Sequence, residues 1–380
     1  MISKDTIRNI IDAARVEDII SDFVTLKKRG ANFLGLCPFH NEKTPSFTVS
    51  PSKGIYKCFG CGKAGDSVRF LMEHDQMTYP EALRFLANRY NIEIEESTDY
   101  TVDKEAESLK EGLYLINDYA ARFFENNLWE NEKGRAVALS YLMERGFDEK
   151  TIRYFNIGFN PEDYDAFSKS AVEKGYKKEL LEKTGLTIIR DNRLIDRFRA
   201  RVIFPIRNLS GRVIGFGGRT LQPDGKMAKY VNSPESEVYS KSHQLYGLFS
   251  AKKSIVKEDE VYLVEGYTDV VSLYQSGVEN AVAPLGTSLT EDQIKLIRRY
   301  TKNVVLLFDG DAAGTKAALR ATDMLLEEGL NVKIVAFPDG QDPDTYSKSH
   351  SDDALQKFLK NNQQDFITYR LAVHEDGWQS

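Results

Sequence analysis

Cysteine is nearly absent from this chain: three in 380 residues, all between positions 37 and 61. An odd count cannot close a disulfide framework, so the small secreted scaffold is excluded. Eighteen consecutive apolar residues occur nowhere, which excludes a membrane-spanning helix. The opening stretch MISKDTIRNIIDAARVEDII breaks its apolar positions with charge and lacks the core of a signal peptide. A cytoplasmic protein with no membrane partner is expected. Internal repeats and low-complexity tracts are also missing. Neither sign of charge dominates, and a net charge of −6 argues on its own against a nucleic-acid partner.

The distribution of charge reverses that last reading. Residues 190–241 hold eleven Lys and Arg against five Asp and Glu, whereas residues 258–344 hold seven against sixteen. A basic stripe followed by an acidic segment suits a polyanion held near carboxylate-bound cations. At 41% hydrophobic and 28% charged, the composition is that of an ordinary globular protein. Its length implies two or three domains.

The three cysteines fall into a pattern with one histidine: Cys37-x2-His40 and Cys58-x2-Cys61, seventeen residues apart. Each pair can sit on a tight knuckle that grips one side of a tetrahedral ion, giving a closed Cys3His site for structural Zn2+. Between the pairs, SFTVSPSKGIYKCF reads as two short strands around a Pro-Ser-Lys-Gly turn, the hairpin of a zinc ribbon. Helices are expected on either side, over Ile7–Ile20 and over SVRFLMEHDQMTYPEALRFLANRY.

Further along, helical spacing of Leu113, Ile116, Ala120 and Phe124 gives way to RARVIFPIRNLSGRVIGFGGR, read as strand, turn, strand. If the first strand begins at 197, Arg197, Arg199 and Arg201 share one face opposite Phe198, Ala200 and Val202. From Glu260 the short apolar runs VYLV, NAVAPLG, NVVLLF and NVKIVAF alternate with helix-like segments, the pattern of a parallel sheet. Functional groups in such sheets collect beyond the carboxyl ends of the strands. Glu265, the pair Asp309 and Asp311, and the pair Asp342 and Asp344 all fall there. Several hard oxygen ligands favour Mg2+ or Mn2+, and two such ions ~4 Å apart suit phosphoryl transfer. GDAAGTK has the wrong spacing for a phosphate-binding P-loop, and GFGGRT is not a dinucleotide fingerprint.

Two stretches carry a close resemblance. LKKRGANFLGLCPFHNEKTPSFTVSPSKGIYKCFGCGKAGD resembles the zinc-binding domain of bacterial DNA primases, and VEGYTDV with FDGDAAG resembles the toprim region of the same family. DRFRARVIFPI, GRVIGFGGR and KYVNSPES are similar to the basic motifs lying between. The resemblance implies a multidomain α/β protein: zinc ribbon with helices, α+β basic subdomain, then a toprim-type parallel sheet. It implies residues 1–95 as the zinc-binding domain, 96–110 as linker, 111–255 as basic subdomain, 256–346 as toprim subdomain and 347–380 as a helical tail.

The same resemblance implies catalytic or metal-binding roles for Glu265, Asp309 and Asp311, with Asp269, Asp342 and Asp344 assisting. Glu265 is the implied activator of the attacking 3′-hydroxyl. Arg199, Arg201, Arg219, Lys229, Tyr230, Asn232 and Lys241 match positions that face template or nucleotide. The implied activity is synthesis of short RNA primers from ribonucleoside triphosphates on single-stranded DNA, by a monomer. Family members continue into a helicase-binding domain, so the replicative helicase is expected to dock outside these 380 residues. A toprim nuclease and a non-catalytic zinc module for single-stranded DNA are the rival readings.

Overall fold

The computed structural model describes residues 2–75, 77–94, 104–221, 228–286, 288–308, 312–338 and 340–376. The chain divides into two units, Met1–Glu107 and Ser108–Ser380.

The first unit opens with α1 (Lys4–Ala13), started by Ser3, whose hydroxyl accepts from the Thr6 amide, and α2 (Val16–Ser21). Five antiparallel strands follow in sequential order: β1 (Lys27–Arg29), β2 (Asn32–Gly35), β3 (Phe47–Ser50), β4 (Ile55–Cys58) and β5 (Ala64–Gly65). The expected hairpin is β3–β4, turned by Pro51–Lys53 and by Gly54 at φ 63°, which a side chain would strain. Phe47, Val49, Tyr56 and Cys58 alternate onto the buried face, leaving Ile55 and Lys57 outward. That face packs on Phe70 of α3 (Ser67–His74), with α4 (Tyr79–Arg89) completing the core.

In the second unit, α5 (Lys104–Trp129) buries Leu113, Ile116, Ala120 and Phe124 along one face, as their spacing requires. A π-helical turn, Gly134–Leu139, leads into α6 (Ser140–Glu144). Only glycine fits at 134, where a Cβ would lie 1.8 Å from the Asn127 carbonyl oxygen. Next come α7 (Glu149–Tyr154), β6 (Gly158–Asn160), α8 (Ala166–Glu173), α9 (Lys178–Lys183) and the hairpin of β7 (Thr187–Arg190) and β8 (Arg193–Asp196). The strands β9 (Arg201–Arg207), β10 (Val213–Thr220) and β11 (Tyr230–Asn232) join β6 in an antiparallel sheet ordered β11-β10-β9-β6.

Here one expectation fails. Residues 197–200 form a turn rather than the start of a strand, with Ala200 in the left-handed region at φ 51°. The Ala200 amide donates to the Pro161 carbonyl, and the alternation that would have aligned three arginines is lost. Arg197 donates to the Gly185 carbonyl, while Arg201 is only 4% exposed.

After α10 (Leu248–Glu258) the second sheet assembles in the order β13-β12-β14-β15-β16. Its parallel members are β12 (Val261–Leu263), β13 (Ala281–Val282), β14 (Asn303–Phe308) and β15 (Asn331–Ala336), with β16 (Gln364–Asp365) antiparallel at the margin. Crossovers are made by α11 (Tyr267–Gln275), α12 (Glu291–Arg298) and α13 (Ala312–Glu327). The chain then runs through α14 (Pro343–Ser349), α15 (Asp352–Asn361) and α16 (Phe366–Asp376). β12 and β14 are buried on both faces, which is why their sequences are unbroken apolar runs. No helix among the described residues is long and apolar enough to cross a membrane.

Candidate functional site

Cys37, His40, Cys58 and Cys61 converge, their ligand atoms all within 4.8 Å of one another. Cys37 Sγ lies 3.8 Å from Cys61 Sγ, and Cys58 Sγ lies 3.8 Å from His40 Nδ1. A tetrahedral ion holding sulfur at ~2.3 Å has ligand-to-ligand edges of about 3.8 Å, so the four form a Cys3His zinc site. Backbone amides support the sulfurs: Phe39 donates to Cys37, and Gly60 and Cys61 donate to Cys58. Burial pushes the Cys37 thiol up to about 12, so loading the site there must release a proton. Burial acts on Cys58 too, but the Ser46 hydroxyl and the two amides outweigh it and hold that thiol down to about 6.

The acidic residues of the parallel sheet separate into different settings. Glu265 is exposed just past β12, beside a cleft of ≈ 240 Å³ lined by Pro284, Phe308, Arg320 and Met324. Asp269 is buried in the first turn of α11, its carboxylate accepting from the Gly266 amide at 2.9 Å. Asp342 caps α14, accepting from Thr345 N at 2.6 Å. Asp344 is 1% exposed and faces inward, paired with Arg145 and with Lys348 Nζ at 2.5 Å, and accepting from the Ser272 hydroxyl. Asp309 and Asp311 lie outside the described residues.

The basic residues likewise divide. Arg201 donates to the carbonyls of Gly218 at 3.2 Å and Lys229 at 3.4 Å, tying β11 to β10. Asn232 uses both ends of its amide, donating to the Leu285 carbonyl at 2.9 Å and accepting from Tyr267 Oη at 2.5 Å. Arg199 lies 3.8 Å from the ring centroid of Tyr164, and Arg219 lies 4.8 Å from Tyr141 and 5.9 Å from Tyr230. Burial raises the Tyr230 phenol above its ordinary value, so it stays protonated and able to donate. Lys229 is exposed and Lys241 half-buried, and neither ammonium has an ion pair among the described residues. Guanidinium groups stacked on tyrosines, and ammonium groups with no ion pair among the described residues, have the chemistry that can bind a single-stranded polyanion.

Sequence reading missed Tyr141, Arg145, Tyr164 and Glu42. Tyr141 and Arg145 stand four apart around α6, a spacing that puts both on one helical face and could have marked them. The stacking of Tyr164, 66% exposed in its loop, depends on the 197–200 turn and had no sequence signal. The remaining histidines have ordinary partners: His74 pairs with Asp75, His243 with Asp292, and His350 stacks on Tyr346. The side chain of His374 lies outside the described residues.

Family profiles match three successive segments: CHC2 zinc finger over 2–102, DNA primase catalytic core N-terminal domain over 123–252, and Toprim-like over 262–347. Fold and site thus define a protein of the zinc-ribbon and toprim class. The DNA primase of Clostridium acetobutylicum is 42% identical over 372 residues, 98% of this chain and 61% of that protein. That of Halalkalibacterium halodurans is 43% identical, over 99% of this chain and 62% of that protein. The crystal structure of the Aquifex aeolicus primase, zinc-binding and RNA polymerase domains, superposes with a TM-score of 0.65 at 36% identity. It covers 98% of this chain and 89% of that one. A DnaG primase catalytic domain bound to single-stranded DNA superposes at 0.62 and 38% identity, over 68% of this chain and 83% of that one. The chain belongs to the bacterial DNA primase family. It spans about three-fifths of the length of these curated relatives.

Proposed function

We propose that this chain synthesises short RNA primers de novo on single-stranded DNA, as a nucleotidyltransferase using ribonucleoside triphosphates. One observation carries the reading: zinc ribbon, basic sheet and toprim-like sheet follow one another in a single chain, and all three match known segments in primase order. A structure of a relative 38% identical holds single-stranded DNA, which supports that template.

In this reading a primer 3′-hydroxyl attacks the α-phosphate of the next ribonucleotide and pyrophosphate leaves. Glu265, Asp309 and Asp311 would hold Mg2+ or Mn2+, which supplies charge stabilisation at the reacting phosphate when bound. Asp269 and Asp342 would assist by fixing the starts of α11 and α14, and Asp344 by holding Arg145. Arg199, Arg219, Lys229 and Lys241 neutralise phosphates while Tyr230 offers a stacking face. Arg201 and Asn232 serve the same surface by shaping the strands that carry it. The segmentation at 95, 110, 255 and 346, a monomeric state, a cytoplasmic location and a replicative helicase as partner belong to the same proposal.

Labelled ribonucleotides supplied with single-stranded DNA test it. Template-dependent RNA is the expected product, and Asp309→Asn should abolish it while leaving DNA binding intact. Cleavage of the template would instead indicate a toprim nuclease, and binding alone a non-catalytic zinc module.

A further inference from the structure

The zinc centre has a part-buried carboxylate beside it that no ligand count includes. Glu42 stands two residues after His40, and its side chain is only 11% exposed. One carboxylate oxygen, Oε1, accepts from the amides of Cys37 at 2.8 Å and Ser46 at 3.0 Å. The other, Oε2, accepts from the Ser46 hydroxyl at 2.5 Å and lies 3.3 Å from His40 Nε2. Ser46 Oγ is in turn 3.3 Å from Cys58 Sγ. A single carboxylate therefore reaches the backbone of one ligand, the ring of a second and, through Ser46, the sulfur of a third. Gly60 keeps room for the group: a Cβ there would lie 2.7 Å from His40 Nε2 and 2.9 Å from Ser46 Oγ.

We propose that Glu42 is the positioning residue of the zinc centre, holding His40 as the Nε2–H tautomer with Nδ1 toward the ion and locking the two ligand pairs in register. Imidazole ligands need a partner on the second nitrogen to fix ring and tautomer, and loss of such a partner typically weakens metal binding by 10- to 100-fold. All four groups facing this carboxylate are donors. A glutamine of the same size would have to point its own NH2 at two of them, so Glu42→Gln breaks the cluster without opening a cavity.

The test uses the full chain loaded with zinc, and it rests on the zinc site rather than on primer synthesis. Competition against a chromogenic chelator should show Glu42→Gln holding zinc about 10- to 100-fold more weakly than the parent, with Ser46→Ala intermediate. With 15N-labelled histidine, the parent should show His40 bound through Nδ1 and a slowly exchanging Nε2–H, and Glu42→Gln should lose that protection. Parent-like zinc affinity in a folded Glu42→Gln overturns the proposal. So does ligation through Nε2 in the unmodified chain, a result that needs no variant to fold. A purified parent chain that takes up no zinc removes the site and this inference together.

Discussion

The buried carboxylate of Asp344 is bonded to the guanidinium of Arg145, 199 positions earlier in the chain. The bond joins α14 to the residue that ends α6, the helix whose Tyr141 stacks on Arg219. Asp342, two residues away, caps α14. The two acids should therefore differ in consequence. Asp344→Asn leaves two cations without their shared partner and should cost about 3 kcal/mol. Asp342→Ala loses a cap and should cost about 1 kcal/mol. Urea midpoints followed by far-UV circular dichroism measure both, and equal losses would contradict the distinction.

Arg201 and Lys229 make a second contrasting pair. The guanidinium of Arg201 is spent on the strand edge that carries Lys229, whose own ammonium is exposed. Arg201→Ala should lower stability by about 2 kcal/mol through lost charge-assisted bonds. Lys229→Ala should stay within ~0.5 kcal/mol of the parent. Its effect should appear in binding to single-stranded DNA, where the slope of log K against log salt becomes shallower by about 0.7. A Lys229→Ala chain with the parent slope would remove that residue from the interface.

Stripping zinc should act on one unit alone. Cys58 is buried at the end of β4, and a small ribbon takes much of its folding free energy from the ion. Hydrogen exchange should show protection lost across residues 35–65 in Cys58→Ser or after chelation, with β12, β14 and β15 unchanged. Loss of protection in the parallel sheet would show that the two units do not fold independently.

The Glu111–Arg212 pair gives a pH signature. Glu111 accepts twice from the guanidinium, at 2.8 and 2.9 Å, and that bonding holds its carboxyl below the usual range. A depressed folded value contributes stability above the unfolded value of ~4.3, and the contribution fades as pH falls through the folded one. The parent should therefore be slightly the more stable at pH 7, with Glu111→Gln closing the gap below about pH 4. A gap that stays constant with pH would exclude the ion pair as its source.

Sequence made the zinc ligands readable because four rare side chains at fixed spacing admit few arrangements. It likewise made the parallel sheet readable, since β12 and β14 are apolar runs that burial on both faces explains, while β15 keeps Val332, Ile334 and Val335 buried. What stayed hidden depends on contacts between distant segments. Arg201 looks like its neighbour Arg199 in sequence. One faces Tyr164 and the other is buried, because Ala200 turns the chain between them at φ 51°. Alternation rules assume a continuous strand and cannot anticipate that turn. Asp342 and Asp344 are equally alike on paper, and only the packing of α14 against α11 sends one inward.

The parallel sheet has margins only two residues long on both sides. β13 is buried and its outer side is closed by the paired backbones of Tyr246 and Ala283, while β16 is exposed and carries the charge of Asp365. Short margins, one closed and one charged, discourage growth of this sheet by addition of a second chain. The protection is conditional: β16 covers β15 at Lys333 and Ile334, so its release would bare the middle of NVKIVA and favour pairing between copies at that strand.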